Sequence, residues 1–390
     1  MHKIIFILTL GLLIVSCRPK THELKPVDPA LFRVEPAKDW NSLMVRDSGW
    51  FAADGIFSIP LDGKDSHCES GKPILMIFSD TYTGVVKNNI PQHGSIMVNN
   101  SIAYLEGCRP HPDNIQFLIN KNDEGQPIAF FKPDNENARP GQYYWLGDGF
   151  VNSSQNGVLY LFAYHIEMTG PNVFDFEEHN VSLIVIPDAS SPPFHKARQL
   201  NTPFHIKHPV IGIGNLGAGV YVNTDWAGAQ NPDGYIYVYG CIGSDKNLIV
   251  ARSPAESFDE FHTWTFWDGN GWTKNIENIS PSTHAVSNEL SVTDLPDGRY
   301  LLTFQVMGLS EKVGCRIGES LTGPWSDIID LYITPESEMG IFTYNAKAHP
   351  ALSPPGELLI SYNTITLDFW NDIKKDASIY RPRFIRLFYE

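Results

Sequence analysis

One hairpin pattern recurs along the chain and limits the folds that it can adopt. A polar-ended strand is followed by a glycine-centred turn and then by a strand of β-branched and aromatic residues. The turn glycines of the five copies are Gly71, Gly157, Gly234, Gly298 and Gly356, at steps of 86, 77, 64 and 58 residues. Asn-Gly and Asp-Gly between such strands are strong hairpin signals. Five copies at these steps predict an all-β protein, a five-bladed β-propeller with four-stranded blades.

Other architectures explain the pattern less well. A β-sandwich would show evenly spaced strands without the recurring hairpin. A βαβ fold would need amphipathic helices, and the sequence offers only one or two helical turns at 253–260. A ring must also close, and the segment 380–388 suits a last strand that completes a blade begun elsewhere, with Pro382 at its start or edge.

Composition narrows the class of partner. The 390 residues carry a formal net charge of −15, and the absence of phosphate-neutralising basic runs argues against a nucleic-acid partner. The chain is rich in turns and aromatic residues, with 31 glycines, 28 prolines and 12% Phe, Trp and Tyr. Together with the acidic balance, this composition favours an all-β protein that handles neutral sugars.

The first 17 residues have the pattern of an export signal. Lys3 precedes an apolar run, residues 4–15, that is too short to span a bilayer. Ser16-Cys17 then resembles a bacterial lipobox, in which the cysteine is lipidated; the alternative is an ordinary signal peptide. On the lipoprotein interpretation, residues 18–40 are a tether and residues 41–390 the propeller domain. The protein would then lie in the cell envelope, lipid-anchored to a bacterial membrane and facing the periplasm or the cell surface.

The remaining cysteines, Cys68, Cys108, Cys241 and Cys315, show no zinc-binding spacing. Export permits disulfides, and Cys68 and Cys108 lie in neighbouring predicted loops, so both pairing and buried free thiols stay open. We expect no cofactor and no metal site, with a structural cation on the propeller axis as an open alternative.

Two aspartates of the first hairpin are the leading catalytic candidates. Asp54 precedes a strand that ends at Pro60, and Asp80 follows the strand 73–78. An antiparallel hairpin that turns near His67 places both carboxyl groups at one rim of the sheet. Two neighbouring carboxyl groups can divide the roles of acid and base, because their repulsion raises the pKa of one. The alternative is that both are turn residues or strand caps.

The same hairpin reasoning collects further polar side chains at this rim. A turn at Asn156-Gly157 would pair Asp148 with His165, and alternation would point Glu289 into the central channel. The candidate sugar-binding residues are Asn99, Asn100, Asp148, His165, Trp226, Asn288, Asn345 and His349. Each has a structural alternative: Asp148 before Gly149 suits a turn, His349 suits a core histidine, and most tryptophans pack in cores.

In these features the chain resembles the five-bladed propeller glycoside hydrolases, the broad group of arabinanases, invertases and levanases. More narrowly, it resembles uncharacterised bacterial lipoprotein families related to endo-D-arabinanases. The similar segments cover the mature chain nearly end to end and include Ala53-Asp54-Gly55, Phe78-Ser79-Asp80-Thr81, Asn288-Glu289-Leu290-Ser291-Val292 and Asn345-Ala346-Lys347-Ala348-His349-Pro350.

The resemblance implies hydrolysis of a glycosidic bond by two carboxyl groups at the axial end. In the arabinanase-like relatives both are blade-one aspartates, which correspond to Asp54 and Asp80. In the broader group a blade-one base, a blade-two helper aspartate and an acid glutamate on a later blade correspond to Asp54, Asp148 and Glu289. Ser79 stands where many relatives carry glycine, which leaves the role of Asp80 intact.

These observations predict a lipid-anchored glycoside hydrolase that acts on a furanose-containing, arabinan-like oligo- or polysaccharide. Two alternatives remain. A non-catalytic glycan-binding lipoprotein would need the aromatic and amide side chains but not both aspartates. A structural propeller with a protein-binding face would show no concentration of polar groups on the axis.

Overall fold

Five β-sheets arranged in a ring form the body of the protein in a computed structural model. The structure describes residues 32–68, 73–187, 192, 194 and 196–389. Cys17 and the expected export signal lie outside these residues. Within the described part of the chain, no helix is both long enough and apolar enough to cross a membrane.

The sheets are named I to V in chain order, and all their strand pairs are antiparallel. Sheet I contains Phe57–Pro60, Pro73–Phe78, Ser101–Glu106 and Ile115–Leu118. Sheet II contains Tyr143–Asn152, Val158–Met168, Phe176–Ile186 and Arg198–Asn201. Sheet III contains His205–His208, Gly212–Asn223, Tyr235–Ile242, Asn247–Pro254, Thr265–Trp267 and Trp272–Thr273. Sheet IV contains Leu290–Asp294, Tyr300–Gln305, Lys312–Gly318 and Ile329–Ile333. Sheet V contains Phe342–Ala348, Glu357–Ile365, Arg383–Tyr389 and Phe32–Pro36.

One strand of each sheet lies next to the ring axis, and these inner strands contact one another in chain order. They are Phe57–Pro60, Tyr143–Asn152, Gly212–Asn223, Leu290–Asp294 and Phe342–Ala348. The side chains of Ser58 and His349, 3.0 Å apart (Oγ to Nδ1), join sheet I to sheet V. A hydrophobic cluster fills the space between each sheet and the next around the ring. The all-β prediction is confirmed, and the ring of sheets is a β-propeller-like arrangement.

The ring is closed by the N-terminal part of the chain. Phe32–Pro36 pairs with Arg383–Tyr389 and forms the outer strand of sheet V. The helix Lys38–Leu43 follows and buries Trp40 against Phe384, with ring centroids 5.6 Å apart. The prediction that residues 18–40 form a tether is therefore wrong for 32–40, which pair and pack as part of the domain. The expected closing strand near 380–388 is the third strand of this sheet, not its edge.

Sheet III has six strands where four were expected. His205–His208 pairs with the inner strand Gly212–Asn223, and two short strands extend the outer side of the sheet. A smaller sheet of Ser48–Ala53, Thr81–Lys87, Ile90–Pro91 and Ile96–Val98 extends above sheet I, and Asn120–Lys121 pairs with Pro127–Ile128. The second α-helix is Phe369–Asp372. Short 3₁₀ helices occupy Pro112–Asn114, Ser153–Gln155, Ala255–Ser257, Phe261–Thr263, Ile276–Asn278, Pro335–Met339, Pro350–Leu352 and Ala377–Tyr380.

A disulfide joins Cys68 to Cys108, across 40 positions of sequence. Cys241 and Cys315 are buried free thiols. Of the two alternatives that the sequence left open, pairing therefore applies to the first two cysteines and burial as thiols to the other two.

Candidate active site

A cleft of about 880 Å³ opens at the end of the ring where the inner strands begin. Segments of all five sheets, or next to them, contribute to its wall. Six residues predicted from the sequence line it: Asp54, Asp80, Asn99, Asn288, Glu289 and Asn345. A concave site of this size lies within the range of roughly 300–1,000 Å³ that encloses small-molecule ligands.

The first hairpin brings Asp54 and Asp80 together, as predicted. Phe57 pairs with Ile77 in sheet I, and the ladder continues past the strand ends. The Asp54 N–H donates to the Asp80 carbonyl over 3.2 Å, and the Ser79 N–H donates to the Asp54 carbonyl over 2.9 Å. Gly55, at φ +62°, allows the chain to turn between the smaller sheet and sheet I. Two backbone bonds therefore fix the relative position of the two aspartates.

Asp54 is held by tyrosine. The Tyr344 hydroxyl donates to Asp54 Oδ2 over 2.7 Å, while the buried Oδ1 has no hydrogen-bond partner among the described residues. Burial raises the pKa of Asp54, and Tyr344, Tyr380 and the charge of Lys347 oppose that rise. These three groups limit the rise, and Oδ1 is the oxygen that Tyr344 leaves without a partner.

Asp80 has the opposite character. Its Oδ1 accepts a hydrogen bond of 3.2 Å from the Asn99 side chain. Burial, and then the negative charge of Asp54, raise the pKa of Asp80 to about 8, with Asn99 and Trp145 opposing. Because two close carboxylates repel, the pair retains one proton at neutral pH, and that proton resides mainly on Asp80. The pair thus combines an acid and a base at one point of the cleft.

Glu289 also reaches the cleft, but it is held by neighbours from sheet V. The Lys347 ammonium bonds to Glu289 Oε2, and the Asn345 side chain donates to Oε1 over 2.9 Å. The Lys347 side chain is only 2% exposed and lies 4.1 Å from the centre of the Phe57 ring. Asn288, its neighbour, accepts a hydrogen bond of 2.8 Å from Lys246.

Asp148 and His349 lie deeper along the axis, not on the wall of the cleft. They line a small cavity of about 20 Å³ together with Ser58, Ser291 and Lys347. Asp148 accepts backbone hydrogen bonds from Gly149 and Val220 at 2.8 and 2.7 Å, and burial raises its pKa to about 7. Burial, and then the charge of Lys347, lower the pKa of His349 to about 3. The expectation that His349 binds sugar is wrong, because its two nitrogens bond to Ser58 and Ser361.

Asn100 and His165 are structural. The Asn100 side chain bonds to the backbone of Phe131 and Tyr144 at 2.7–3.1 Å. His165 is buried opposite Tyr144, with Nε2 2.7 Å from Ser182 Oγ, and burial lowers its pKa to about 4. The predicted pairing of Asp148 with His165 is wrong, because the connection is longer than a two-residue turn: Asn152 pairs with Val158 around the 3₁₀ helix Ser153–Gln155. The bulge between Leu146 and Gly149 shifts the register by one further residue, and His165 pairs with Tyr144.

Trp226 lies at the opposite end of the ring. It follows the inner strand Gly212–Asn223, lines a separate cavity of about 570 Å³ and donates to Ser154 over 3.1 Å. The expectation that it stacks on a sugar beside the two aspartates is wrong. The inner strands all begin at the large cleft. A residue that follows such a strand therefore lies at the other end of the ring.

Several residues around the acidic groups were not among the predicted site residues. Tyr143, Trp145, Tyr164, Tyr344 and Tyr380 line the cleft, and Lys347 contacts Glu289 from the small deeper cavity. Tyr143, Trp145 and Tyr164 lie at the cleft end of sheet II. The sequence could have indicated this, because all three lie at the end of the hairpin far from the turn at Gly157. Among the described residues, no group of three or more His, Cys, Asp or Glu side chains is arranged to hold a metal ion.

Comparison with solved structures identifies similar folds. A putative hydrolase from Bacteroides ovatus matches with a TM-score of 0.70 at 20% identity, covering 95% of this chain and 97% of that one. This likeness shows a shared fold. A putative exo-β-1,3-galactanase from Bifidobacterium bifidum matches with a TM-score of 0.44 at 10% identity, covering 87% and 92% of the two chains. A GH43 β-1,3-galactosidase gives a TM-score of 0.44 at 10% identity, covering 87% and 60%.

No curated protein matches this chain in sequence. Residues 37–389 match the family described as a domain of unknown function, DUF5005. This match spans all five sheets of the ring apart from the outer strand Phe32–Pro36. The chain belongs to the DUF5005 family.

Proposed function

We propose that this protein is a glycoside hydrolase that cleaves a furanose-containing, arabinan-like glycan with two carboxyl groups in the axial cleft. The observation that carries the proposal is the position of Asp54 beside Asp80, fixed by two backbone hydrogen bonds at the wall of the cleft. Tyr344 donates to Asp54, and burial and the charge of Asp54 raise the pKa of Asp80 to about 8. Acid and base groups with separated pKa values are what hydrolysis of an acetal requires.

In the proposed reaction, Asp80 donates its proton to the leaving glycosidic oxygen. Asp54 acts from its unpartnered Oδ1, either on the anomeric carbon or on a water molecule, while Tyr344 holds its other oxygen. Asn99 orients the acid. Glu289, paired with Lys347 and Asn345, contributes negative charge and a hydrogen-bond acceptor to the cleft, and does not donate the proton.

The finer architecture follows the same proposal. Sheets I to V would be the five blades of a propeller, with sheet III extended beyond four strands. Their inner strands gather the polar ends of separate hairpins at one rim, which suits a glycan-cleaving propeller. The relationship to arabinanase-like lipoprotein families belongs to this proposal as well.

Export and lipid anchoring through Cys17 are proposed on separate grounds. The disulfide Cys68–Cys108 supports an oxidising compartment, since cytosolic proteins rarely keep structural disulfides. Labelling with a lipid precursor, compared between the full chain and Cys17→Ala, tests the anchor. A chain that incorporates label equally with and without Cys17 would exclude it.

The enzyme proposal is tested with reducing-sugar release from arabinans, fructans and β-1,3-galactan. We expect Asp54→Asn and Asp80→Asn each to lower turnover by about 10²-fold or more, the usual contribution of a positioned acid or base. Asp123→Asn, on an exposed loop away from the cleft, is the matched control. Binding without release by the wild type would favour the non-catalytic alternative. Loss of release in Glu289→Gln and in Asp54→Asn, with Asp80→Asn left active, would favour the three-carboxylate scheme.

A further inference from the structure

A second polar group lines the cleft between sheets II and III. The Glu178 carboxylate lies 3.3 Å from His205 Nδ1 through Oε1 and accepts a hydrogen bond of 2.7 Å from Asn215 through Oε2. Tyr164 completes the group, and all four side chains line the cleft. We call Tyr164, Glu178, His205 and Asn215 the wall cluster. None of the four takes part in the proposed chemistry.

Tyr164 indicates that the wall cluster is built for a ligand. The residue is only 7% exposed, yet its buried hydroxyl has no hydrogen-bond partner among the described residues. Burial, and then the charge of Glu178, keep the pKa of Tyr164 well above its ordinary value, so the hydroxyl retains its proton. A buried donor without a partner is unfavourable unless something in the cleft supplies an acceptor.

The wall cluster is continuous with the carboxyl pair. Trp145 lies directly opposite Tyr164 on the neighbouring strand, so both side chains stand on one face of sheet II. Trp145 and Asp80 both line the cleft. A ligand that reaches from Asp80 past Trp145 therefore meets Tyr164 and Glu178 next. The remaining oxygen lone pairs of Glu178 can accept from hydroxyl groups.

We propose that the wall cluster is a sugar subsite adjoining the cleavage point, and that it selects a neutral sugar unit over an acidic one. This inference rests on the proposed function, because it assumes a glycan in the cleft. Glu178 and its neighbour Glu177 oppose a uronate or sulfate that occupies the wall cluster. A neutral unit offers hydroxyls that donate to Glu178 and accept from Tyr164, which satisfies both groups.

The test measures binding separately from cleavage. Asp80→Asn provides a chain that retains the cleft, and isothermal titration then measures affinity for arabinose, for neutral trisaccharides of arabinose, galactose, xylose and fructose, and for trigalacturonate. In the Asp80→Asn background we expect Tyr164→Phe to weaken neutral trisaccharide binding by roughly three- to tenfold, the effect of one hydrogen bond. Glu178→Gln should weaken it by about tenfold or more, because charged hydrogen bonds are stronger.

Matched controls distinguish the loss of a sugar contact from a general effect of the substitution on the structure. Tyr160→Phe makes the same change on the same strand, but its hydroxyl donates to Gln155 away from the cleft. Glu260→Gln is the control for Glu178→Gln, because it makes the same substitution at an exposed surface position. Both should leave affinity within twofold, and thermal unfolding checks that all variants fold. The ratio of the affinity for a trisaccharide to the affinity for arabinose should be smaller in Tyr164→Phe than in the Asp80→Asn background alone.

The outcomes separate this inference from the proposed function. Trisaccharide binding that Tyr164→Phe and Glu178→Gln leave within twofold would overturn the subsite and leave the enzyme proposal standing. Trigalacturonate binding as tightly as the neutral trisaccharides would overturn the selectivity. If no saccharide binds Asp80→Asn and none is cleaved by the wild type, both proposals fail together.

Discussion

The Lys347 ammonium bonds directly to the Glu289 carboxylate at the base of the cleft, although the two residues are 58 positions apart in sequence. Sheet V supplies the cation and the segment that opens sheet IV supplies the anion. Lys347 also lies close enough to Asp54 and Asp148 for their charges to act on its pKa, which burial lowers. Glu289, Asp54 and Asp148 thus surround one buried lysine, whose pKa burial lowers to about 7.

The first prediction concerns this ion pair. Lys347→Met should lower the free energy of unfolding by about 3–5 kcal/mol, because it leaves a largely buried carboxylate without its partner. Chemical denaturation measures the loss. The double variant Lys347→Met with Glu289→Gln should recover part of it, because the second change removes the uncompensated charge. Equal stability of the single and double variants would show that Glu289 does not depend on Lys347.

The second prediction concerns the hydroxyl on Asp54. Tyr344→Phe removes a donor that stabilises the carboxylate, so the pKa of Asp54 should rise further. Since the proposed reaction needs Asp54 ionised, the acid limb of the pH–activity profile should move to higher pH, while the alkaline limb stays in place. Tyr362→Phe is the control, because its hydroxyl donates to Glu336, outside the cleft. If the acid limb does not move, the group that titrates there is not Asp54.

The third prediction follows from the raised pKa of Asp80. Activity should fall as the pH passes about 8, where Asp80 loses the proton that it donates. Glu289→Gln should lower activity without moving this alkaline limb, because Asp80 is the proposed acid. A limb that disappears in Glu289→Gln would transfer the acid role to Glu289.

Asp80 also links pH to stability. Its pKa is higher in the folded protein than in the unfolded chain, so the folded state binds its proton more tightly. The stability that this proton contributes is present below about pH 4 and is lost as the pH rises towards 8. Asp80→Asn should therefore be more stable than the wild type at pH 8, by several kcal/mol at about 1.4 kcal/mol per pKa unit, with no such gain at pH 4. Unfolding curves at the two pH values test the sign.

The carboxyl pair could be predicted from the sequence, whereas several of its neighbours could not. Asp54 and Asp80 flank one short antiparallel ladder, so the turn alone fixes their proximity. Asp148 and His165 do not pair, because the connection between their strands is longer than a two-residue turn and a bulge follows between Leu146 and Gly149. Neither feature shows in a pattern of alternating residues. Trp226 was assigned to the wrong end of the ring. All the inner strands run in one direction, and this property belongs to the whole ring and cannot be inferred from a single hairpin.

Lys347 illustrates a different limit. Lys347 stands between two alanines in its strand, and the acidic residues that act on it come from three other sheets. A lysine in such a segment is usually exposed, so only the closed ring reveals its burial. Likewise, the edge strand Phe32–Pro36 lies in a segment whose neighbours resemble a linker, and its pairing with the C-terminal strand spans nearly the whole chain.

The fourth prediction concerns the disulfide. Replacing Cys68 and Cys108 with serine should lower stability by about 4 kcal/mol, the chain-entropy expectation for a bridge across 40 positions. Reductant should lower the melting temperature of the wild type towards that of the double variant and leave the double variant unchanged. Insensitivity of the wild type to reductant would show that the bridge does not contribute.

The fifth prediction concerns the turn that holds the two aspartates together. A Cβ atom at Gly55 would lie 2.5 Å from Ser79 Oγ, and the residue also has φ +62°. Gly55→Ala therefore combines backbone strain with a collision between the segments that carry Asp54 and Asp80. Gly356→Ala is the matched control, because it has φ +85° and nothing within 4 Å of the added atom. Gly55→Ala should lose more stability than Gly356→Ala, and activity should fall only in the first.

Ser79→Gly separates the collision from the strain. The single variant loses the hydrogen bond that Ser79 Oγ accepts from Leu146 over 3.0 Å, which sets its own cost. In the double variant with Gly55→Ala the collision is gone, so the two changes should couple favourably by about 0.5–3 kcal/mol. Denaturation of all four chains completes this cycle. Additive effects would mean that backbone strain alone accounts for Gly55, and that the serine between the aspartates does not set their separation.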